Sequence, residues 1–277
     1  MKVLVTGAKG QLGTDVVMRL SSLSIDCLGV DIDSLDITSD EQVKEFINYY
    51  KPDAVIHCAA YTAVDKAEDE KELCYKVNVL GTKYIAEACK EINAKMVYIS
   101  TDYVFDGEGD QPFEVNDKPN PINYYGQTKY EGELEVQKIL ENYFIVRISW
   151  VFGTYGNNFV KTMLKLGKDR DEISVVADQV GSPTYTYDLA KLLVEVVQTD
   201  KHGIYHVTNE GYCSWYEFAC EIFKQAGLDI KVNPINTEDY PTRAKRPKNS
   251  RLRKNSSIKL ESWENALNHY INLMKLD

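Results

Sequence analysis

The stretch Lys2-Val3-Leu4-Val5-Thr6-Gly7-Ala8-Lys9-Gly10-Gln11-Leu12-Gly13, "KVLVTGAKGQLG", decides the fold. A short apolar run with β-branched residues predicts a buried strand, and the amphipathic segment near 11–23 predicts a helix. Between them stand Gly7, Gly10 and Gly13. Glycines at such a turn let the backbone approach a pyrophosphate held by free N–H groups at the helix N-terminus. The spacing is GxxGxxG, not the GxGxxG usual in dinucleotide folds, and by itself it could mark only a tight turn. The next apolar run, "DCLGVDI" (26–32), places Asp31 at its end. A carboxylate there accepts hydrogen bonds from adenosine ribose hydroxyls and repels a 2′-phosphate, so Asp31 tips the reading towards a dinucleotide. The following "LDIT" (35–38) fits either an adenine cover, with Asp36 as acceptor and Ile37 as apolar wall, or the N-cap run of a helix from Ser39.

Outward from this stretch the pattern repeats. Apolar runs at 53–60, 94–100 and 143–150 alternate with helix-like segments near 40–50, 70–92 and 124–141. Strands alternating with helices predict βαβ units, hence an α/β, Rossmann-type doubly wound parallel sheet. After Trp150 come a helix near 157–168, a strand near 173–178, a helix near 186–199 and a strand near 203–208. Two more helices, near 214–227 and 258–275, flank the proline- and arginine-rich "YPTRAKRPKNSRLRKN". The organisation expected is an NAD(P)-binding domain over 1–150, with parts of 184–208 returning to it. Residues 151–277 would form mostly a smaller, interleaved α/β substrate domain.

The 277 residues carry a formal net charge of −10, which argues against a nucleic-acid partner or an anionic membrane surface. No apolar run approaches the roughly 20 residues of a membrane span. "MKVLVTG" enters a strand without a secretory signal's apolar stretch, which predicts a cytoplasmic protein. Six cysteines without a CxxC pair read as reduced core residues, and four scattered histidines give no reason to expect a catalytic metal.

The segment "NYYGQTKYE" (123–131) carries the chemistry. Residues i and i+4 share a helix face, which pairs Tyr125 with Lys129 and turns Tyr124 elsewhere. An ordinary tyrosine, with a pKa of about 10, exchanges protons poorly at neutral pH. A nearby ammonium would stabilise the phenolate, and the same lysine could hydrogen-bond a nicotinamide ribose. Chance YxxxK matches are common in a chain with 19 tyrosines. Position adds weight here, because the run ending "YIS" delivers Ser100, Thr101 and Asp102 to the sheet edge where ligands bind.

With GxxGxxG, "NVLGT" (78–82), "STDYVF" (100–105), "YGQTK" (125–129) and "RISWVFG" (147–153), the sequence resembles the extended short-chain dehydrogenases/reductases. Within them, "TAVDKAE" (62–68), "STDYVFDG", "ISWVFG…GNNFVKTML" and "RPKNSRL" are similar to the dTDP-4-dehydrorhamnose reductase family. The resemblance runs nearly end to end. It implies NADH- or NADPH-dependent reduction of the C4 keto group of dTDP-4-dehydro-L-rhamnose, the last step of dTDP-L-rhamnose synthesis. It also implies Tyr125 as proton donor, Lys129 as its partner and Thr101 as the residue that tunes it. Cofactor contacts would fall to Gly10, Gln11, Leu12, Asp31, Asp36, Ile37, Ala60, Tyr61 and Thr62. Sugar contacts would fall to Thr101, Asp102 and Trp150, joined by Val64 and Asp65. Some members hold Mg2+ with glutamates at a homodimer interface. The matching early position here is Asp15 and the segment near Tyr187 offers only Asp188, which speaks against magnesium dependence.

Two other readings share these motifs: a nucleotide-sugar epimerase or 4,6-dehydratase, and a non-catalytic regulatory subunit. An intact Thr101–Tyr125–Lys129 set speaks against the latter. The 4,6-dehydratases resemble "TDE" where this chain reads Thr101-Asp102-Tyr103, so the glutamate of their acid–base pair is missing. The basic loop 243–254 stands out in an acidic chain. It reads as a solvated surface or as the holder of the substrate diphosphate, through Arg246 or Arg251 with Asn249 and Ser250 nearby.

Overall fold

Val3, Leu4 and Val5 have no exposed surface, as a strand covered on both faces by helices requires. The computed structural model describes residues 1–255 and 259–274. The first elements are β1 (Lys2–Thr6), α1 (Gln11–Ser22), β2 (Asp26–Val30), α2 (Asp40–Tyr50), β3 (Ala54–His57), α3 (Lys71–Tyr75), α4 (Thr82–Glu91), β4 (Lys95–Thr101), α5 (Tyr124–Ile139) and β5 (Tyr143–Ile148). Then follow β6 (Val151–Phe152), α6 (Phe159–Asp169), β7 (Glu172–Val176), β8 (Val180–Gly181), β9 (Thr184–Tyr185), α7 (Thr186–Val196) and β10 (Gly203–His206). The last are β11 (Cys213–Ser214), α8 (Trp215–Ala226), β12 (Lys231–Ile235) and α9 (Trp263–Met274).

Six strands form one sheet in the order β10-β5-β4-β3-β1-β2. Every pairing in it is parallel, which bears out the doubly wound reading. Strand side chains alternate between faces. Val3 and Val5 therefore pack with Val16 and Leu20 of α1 and Leu189 and Leu193 of α7, while Leu4 packs with α2, α4 and α5 through Val43, Ile47, Ile85 and Val136. Chain order reverses between β1 and β3, and the crevice at the carboxyl ends of such strands is where ligands bind in open α/β sheets.

Beyond β5 the pairing is piecemeal. β6 pairs with β9 and β7 with β12 in parallel, β8 with β11 antiparallel. A separate apolar cluster gathers Phe152, Val160, Phe218, Phe223, Trp263 and Tyr270. α7 and β10 lie in this half of the sequence, yet α7 packs on α1 and β10 completes the large sheet against β5.

Three expectations need correction. The single helix near 70–92 is α3, a π-helical segment over Lys76–Gly81, and α4; such π segments frequently mark functional sites. The strands expected at 26–32, 53–60 and 143–150 stop at Val30, His57 and Ile148. Their last residues leave the hydrogen-bonded ladder and line the crevice instead. The helix near 258–275 begins only at Trp263; positions 258 and 275 lie outside the described residues. Among the described residues no helix is long and apolar enough to cross a membrane. All six cysteines are free thiols.

Candidate active site

The carboxyl ends of β1 to β5 open onto a cavity of about 860 Å³. Its upper wall is the glycine loop. Gly7 takes φ +66°, and a Cβ there would stand 2.6 Å from the Ala59 nitrogen. A Cβ on Gly13 would stand 2.1 Å from the Gly7 carbonyl oxygen. No side chain fits at either position, so the loop is a cradle of bare backbone. Gly10 caps α1 without a side-chain hydrogen bond, which leaves the first-turn N–H groups to a ligand.

Asp31 lies just past β2, where its carboxylate accepts from the Lys9 backbone N–H at 3.0 Å and its own Ile32 N–H at 2.9 Å. Asp36, Ile37 and Thr38 line the cavity, while Ser39 caps α2 by accepting from Gln42. Gln11, Leu12, Ala60, Tyr61 and Thr62 complete this end.

At the other end stand Thr101, Asp102, Val64, Trp150, Tyr125 and Lys129. β4 delivers Thr101, whose hydroxyl donates to Asp102 Oδ1 at 2.9 Å and accepts from the Tyr103 N–H at 3.2 Å. α5 presents Tyr125 and Lys129 because Asn123 fixes its start: its side chain accepts from the Gly126 N–H and donates to the Lys245 carbonyl. Tyr124 is absent from the cavity wall; its N–H donates to Glu68 instead.

The electrostatics differ from the sequence expectation. Burial, with the charge of Asp102, raises the Tyr125 phenol above its ordinary value, and a hydrogen bond with Thr101 opposes this. Lys129 is itself lowered to about 7 by burial, with Glu133 pulling it back up. Its Nζ rests 4.0 Å over the ring of Tyr98. Desolvation, and not the lysine expected to stabilise the phenolate, thus sets the phenol, and Tyr125 holds its proton at neutral pH. Asp102 is pushed up to about 6 by burial, against hydrogen bonds from Ser250 and Thr101, and its Oδ2 has no hydrogen-bond partner.

Sequence reasoning missed several contributors. Asn78, at the π-helical segment, accepts from the Tyr61 N–H at 2.8 Å and donates to Thr128 at 3.1 Å, tying the loop after β3 to α5. The "NVLGT" motif contained it without revealing that role. Glu133 accepts from Arg147 through two nitrogens and from Ser100 in a buried network beneath Lys129. Trp215 stacks on Trp150 with centroids 3.7 Å apart. Trp150 has φ 48°, a left-handed backbone uncommon for a bulky residue.

Asp65, Arg246, Asn249, Ser250 and Arg251 are not among the lining residues. Arg246 Nη2 donates to Asp65 at 2.7 Å, so each occupies the other. Arg251 Nε donates to Asn249, which itself donates to the Gln111 carbonyl. Nor is the basic loop merely solvated, since Arg243, Lys248 and Arg253 pair with Asp69, Asp178 and Glu114. Asp15 is buried with its carboxyl raised, and Asp188 accepts from Asn209. Among the described residues no three His, Cys, Asp or Glu side chains group as a metal site.

A bare-backbone glycine loop leading to a buried threonine and lysine and a half-buried tyrosine at the sheet edge is the design of a short-chain dehydrogenase/reductase. Within that class the family is settled by comparison. Residues 1–276 match the model described as RmlD substrate binding domain. The chain is 43% identical to dTDP-4-dehydrorhamnose reductase of Aggregatibacter actinomycetemcomitans over 284 residues, covering 96% of this chain and 97% of that one. It belongs to the dTDP-4-dehydrorhamnose reductase family. A crystal structure of a dTDP-4-dehydrorhamnose reductase from Clostridium acetobutylicum superimposes with a TM-score of 0.96 at 47% identity, covering 99% of this chain and 100% of that one. Another, from Bacillus anthracis in complex with NADP, gives 0.96 at 45% identity with the same coverage.

Proposed function

We propose that the protein reduces the C4 keto group of dTDP-4-dehydro-L-rhamnose to dTDP-L-rhamnose with NADH or NADPH. The observation that carries this reading is the convergence of Thr101, Tyr125 and Lys129 on the same cavity as the glycine cradle. The backbone closeness at Gly7 and Gly13 and the uncapped start of α1 fit a pyrophosphate. Asp31, Asp36 and Ile37 fit an adenosine.

When bound, NAD(P)H supplies the hydride for C4. Tyr125 gives its phenolic proton to the oxygen left at C4, and its raised pKa keeps that proton in place beforehand. Thr101 steadies the phenolic oxygen, and Asp102 holds a sugar hydroxyl through its free oxygen. Lys129 orients the nicotinamide ribose. Residues 1–150, with α7 and β10, serve the cofactor, and most of 151–277 serves the sugar nucleotide. On the same reading the protein acts in the cytoplasm.

Purified protein should oxidise NAD(P)H stoichiometrically with dTDP-4-dehydrorhamnose and leave dTDP-glucose untouched. Conversion of dTDP-glucose to a 4-keto sugar without net NAD(P)H oxidation would mean a dehydratase, and the reductase reading would fall.

A further inference from the structure

The sugar end of the cavity contains a feature that the reaction chemistry does not require. Trp150 and Trp215 both line it, and their indoles lie face to face at 3.7 Å with 13° between planes. A stack this tight between residues 65 positions apart comes from a frame built around it. Backbone clamps fix Trp150: its carbonyl accepts from the Thr184 N–H, while the Ser149 carbonyl accepts from the Thr184 hydroxyl and Ser149 donates to the Ser182 carbonyl. The frame also fixes Trp215. β11 pairs antiparallel with β8, setting Ser214 opposite Val180 and Cys213 opposite Gly181. Ser214 then caps α8 in a reciprocal capping box with Glu217, and Trp215 is the first residue of that helix.

Gly181 closes the arrangement. A Cβ there would stand 2.7 Å from Trp150 Cε2, so only glycine leaves the indole edge its place. Phe159 packs on Trp215 with centroids 4.6 Å apart and extends the support towards α6. One face of Trp150 and one edge are thus occupied by groups that belong to the frame.

We propose that Trp215 is a positioning residue for the sugar subsite, holding the Trp150 indole, with Gly181, as a rigid wall for the deoxyhexose ring of the sugar nucleotide. This rests on the functional reading above. Rigid aromatic walls bind sugar faces without ordering a side chain first, so the stack acts on sugar-nucleotide affinity and leaves the cofactor alone.

The test uses Trp215→Ala, Trp215→Phe and, as an independent perturbation, Gly181→Ala. Trp215→Ala should raise the sugar-nucleotide KM roughly tenfold, the worth of one well-packed aromatic pair, while the cofactor Kd stays at the wild-type value. Trp215→Phe should restore most of that loss. Gly181→Ala should show the same split by displacing Trp150 from its other side. Stacked indoles couple excitonically, so the wild type should show a far-ultraviolet circular dichroism couplet that Trp215→Phe removes and that added dTDP perturbs less than dTDP-rhamnose. Unchanged sugar-nucleotide KM in Trp215→Ala, with the cofactor Kd intact and the couplet gone, overturns the proposal. Equal losses for cofactor and sugar nucleotide overturn it too, as they mark general unfolding of the frame. If the wild type oxidises no NAD(P)H with the sugar nucleotide, the functional reading itself fails and the wall falls with it.

Discussion

The sheet-edge site and the basic loop 243–254 are both polar margins of one molecule, assembled in opposite ways. At the sheet edge, Asp31, Thr101 and Asp102 fall at or just past strand ends, and Tyr125 and Lys129 sit one helical turn apart on α5. Their placement follows from main-chain geometry that repeats along the chain. In the loop, Arg243 meets Asp69 across 174 residues, Arg246 meets Asp65 across 181, and Arg253 meets Glu114 across 139. Those partners are set by the tertiary fold alone. The lesson concerns energy as well as legibility. Charges desolvated at the sheet edge shift their protonation strongly, while the loop's pairs are mostly half-exposed and screened.

The sharpest way to break this comparison is at Tyr125. Tyr125→Phe should fold and bind cofactor, yet lose roughly 10²–10⁴ in turnover, the usual worth of a positioned acid. Near-normal steady-state turnover, or an equal loss in Tyr124→Phe, would remove the site from the sheet edge.

Asp102 offers a stability test of the same contrast. Its folded pKa of about 6 lies above the ordinary 3.8, so the folded state binds the proton more tightly. The stability this contributes is present in full below about pH 4 and is lost as pH rises through about 6. Asp102→Asn keeps an acceptor for Thr101 without the buried charge. It should therefore gain stability over wild type at pH 7, on the order of 2 kcal/mol, and none at pH 4. Urea melts at the two pH values check this; a pH-independent difference would refute the buried-charge account.

Asp31 tests cofactor choice. Asp31→Ala should shift the kcat/KM ratio towards NADPH by about tenfold, the worth of one charge-assisted contact. An unchanged ratio assigns discrimination elsewhere.

The basic loop should give the smallest effects. The half-buried Arg246 acts on Tyr103, whose phenol burial and the charge of Asp102 raise above its ordinary value while the charge of Arg246 opposes them. Arg246→Ala leaves Asp65 without its ion-pair partner and is expected to raise sugar-nucleotide KM only a few-fold and spare the cofactor. Arg243→Ala removes a mostly exposed pair and should cost below about 1 kcal/mol in melts, with unchanged kinetics. Were Arg243 to matter more than Arg246, the loop would be held by its outer pairs, against the burial seen here.

By itself the sequence determined the sheet, the tight glycine turn after β1 and the one-turn spacing of Tyr125 and Lys129. Strand periodicity, glycine spacing and the i, i+4 relation of Tyr125 to Lys129 are local properties that survive without knowledge of the fold. It also placed the strand-end residues that line the cavity, because strand ends and ligand sites coincide in this architecture. What only the tertiary structure decided was environment. Whether Lys129 carries its ordinary charge depends on how much water reaches it, and burial lowers it to about 7. Desolvation is a sum over neighbours from β3, β4 and α5, and no window of sequence contains that sum. The partners of the basic loop and the stacking of Trp215 on Trp150 likewise needed the closed fold. Both depend on segments far apart in the chain meeting through backbone pairings that leave no periodic mark in it.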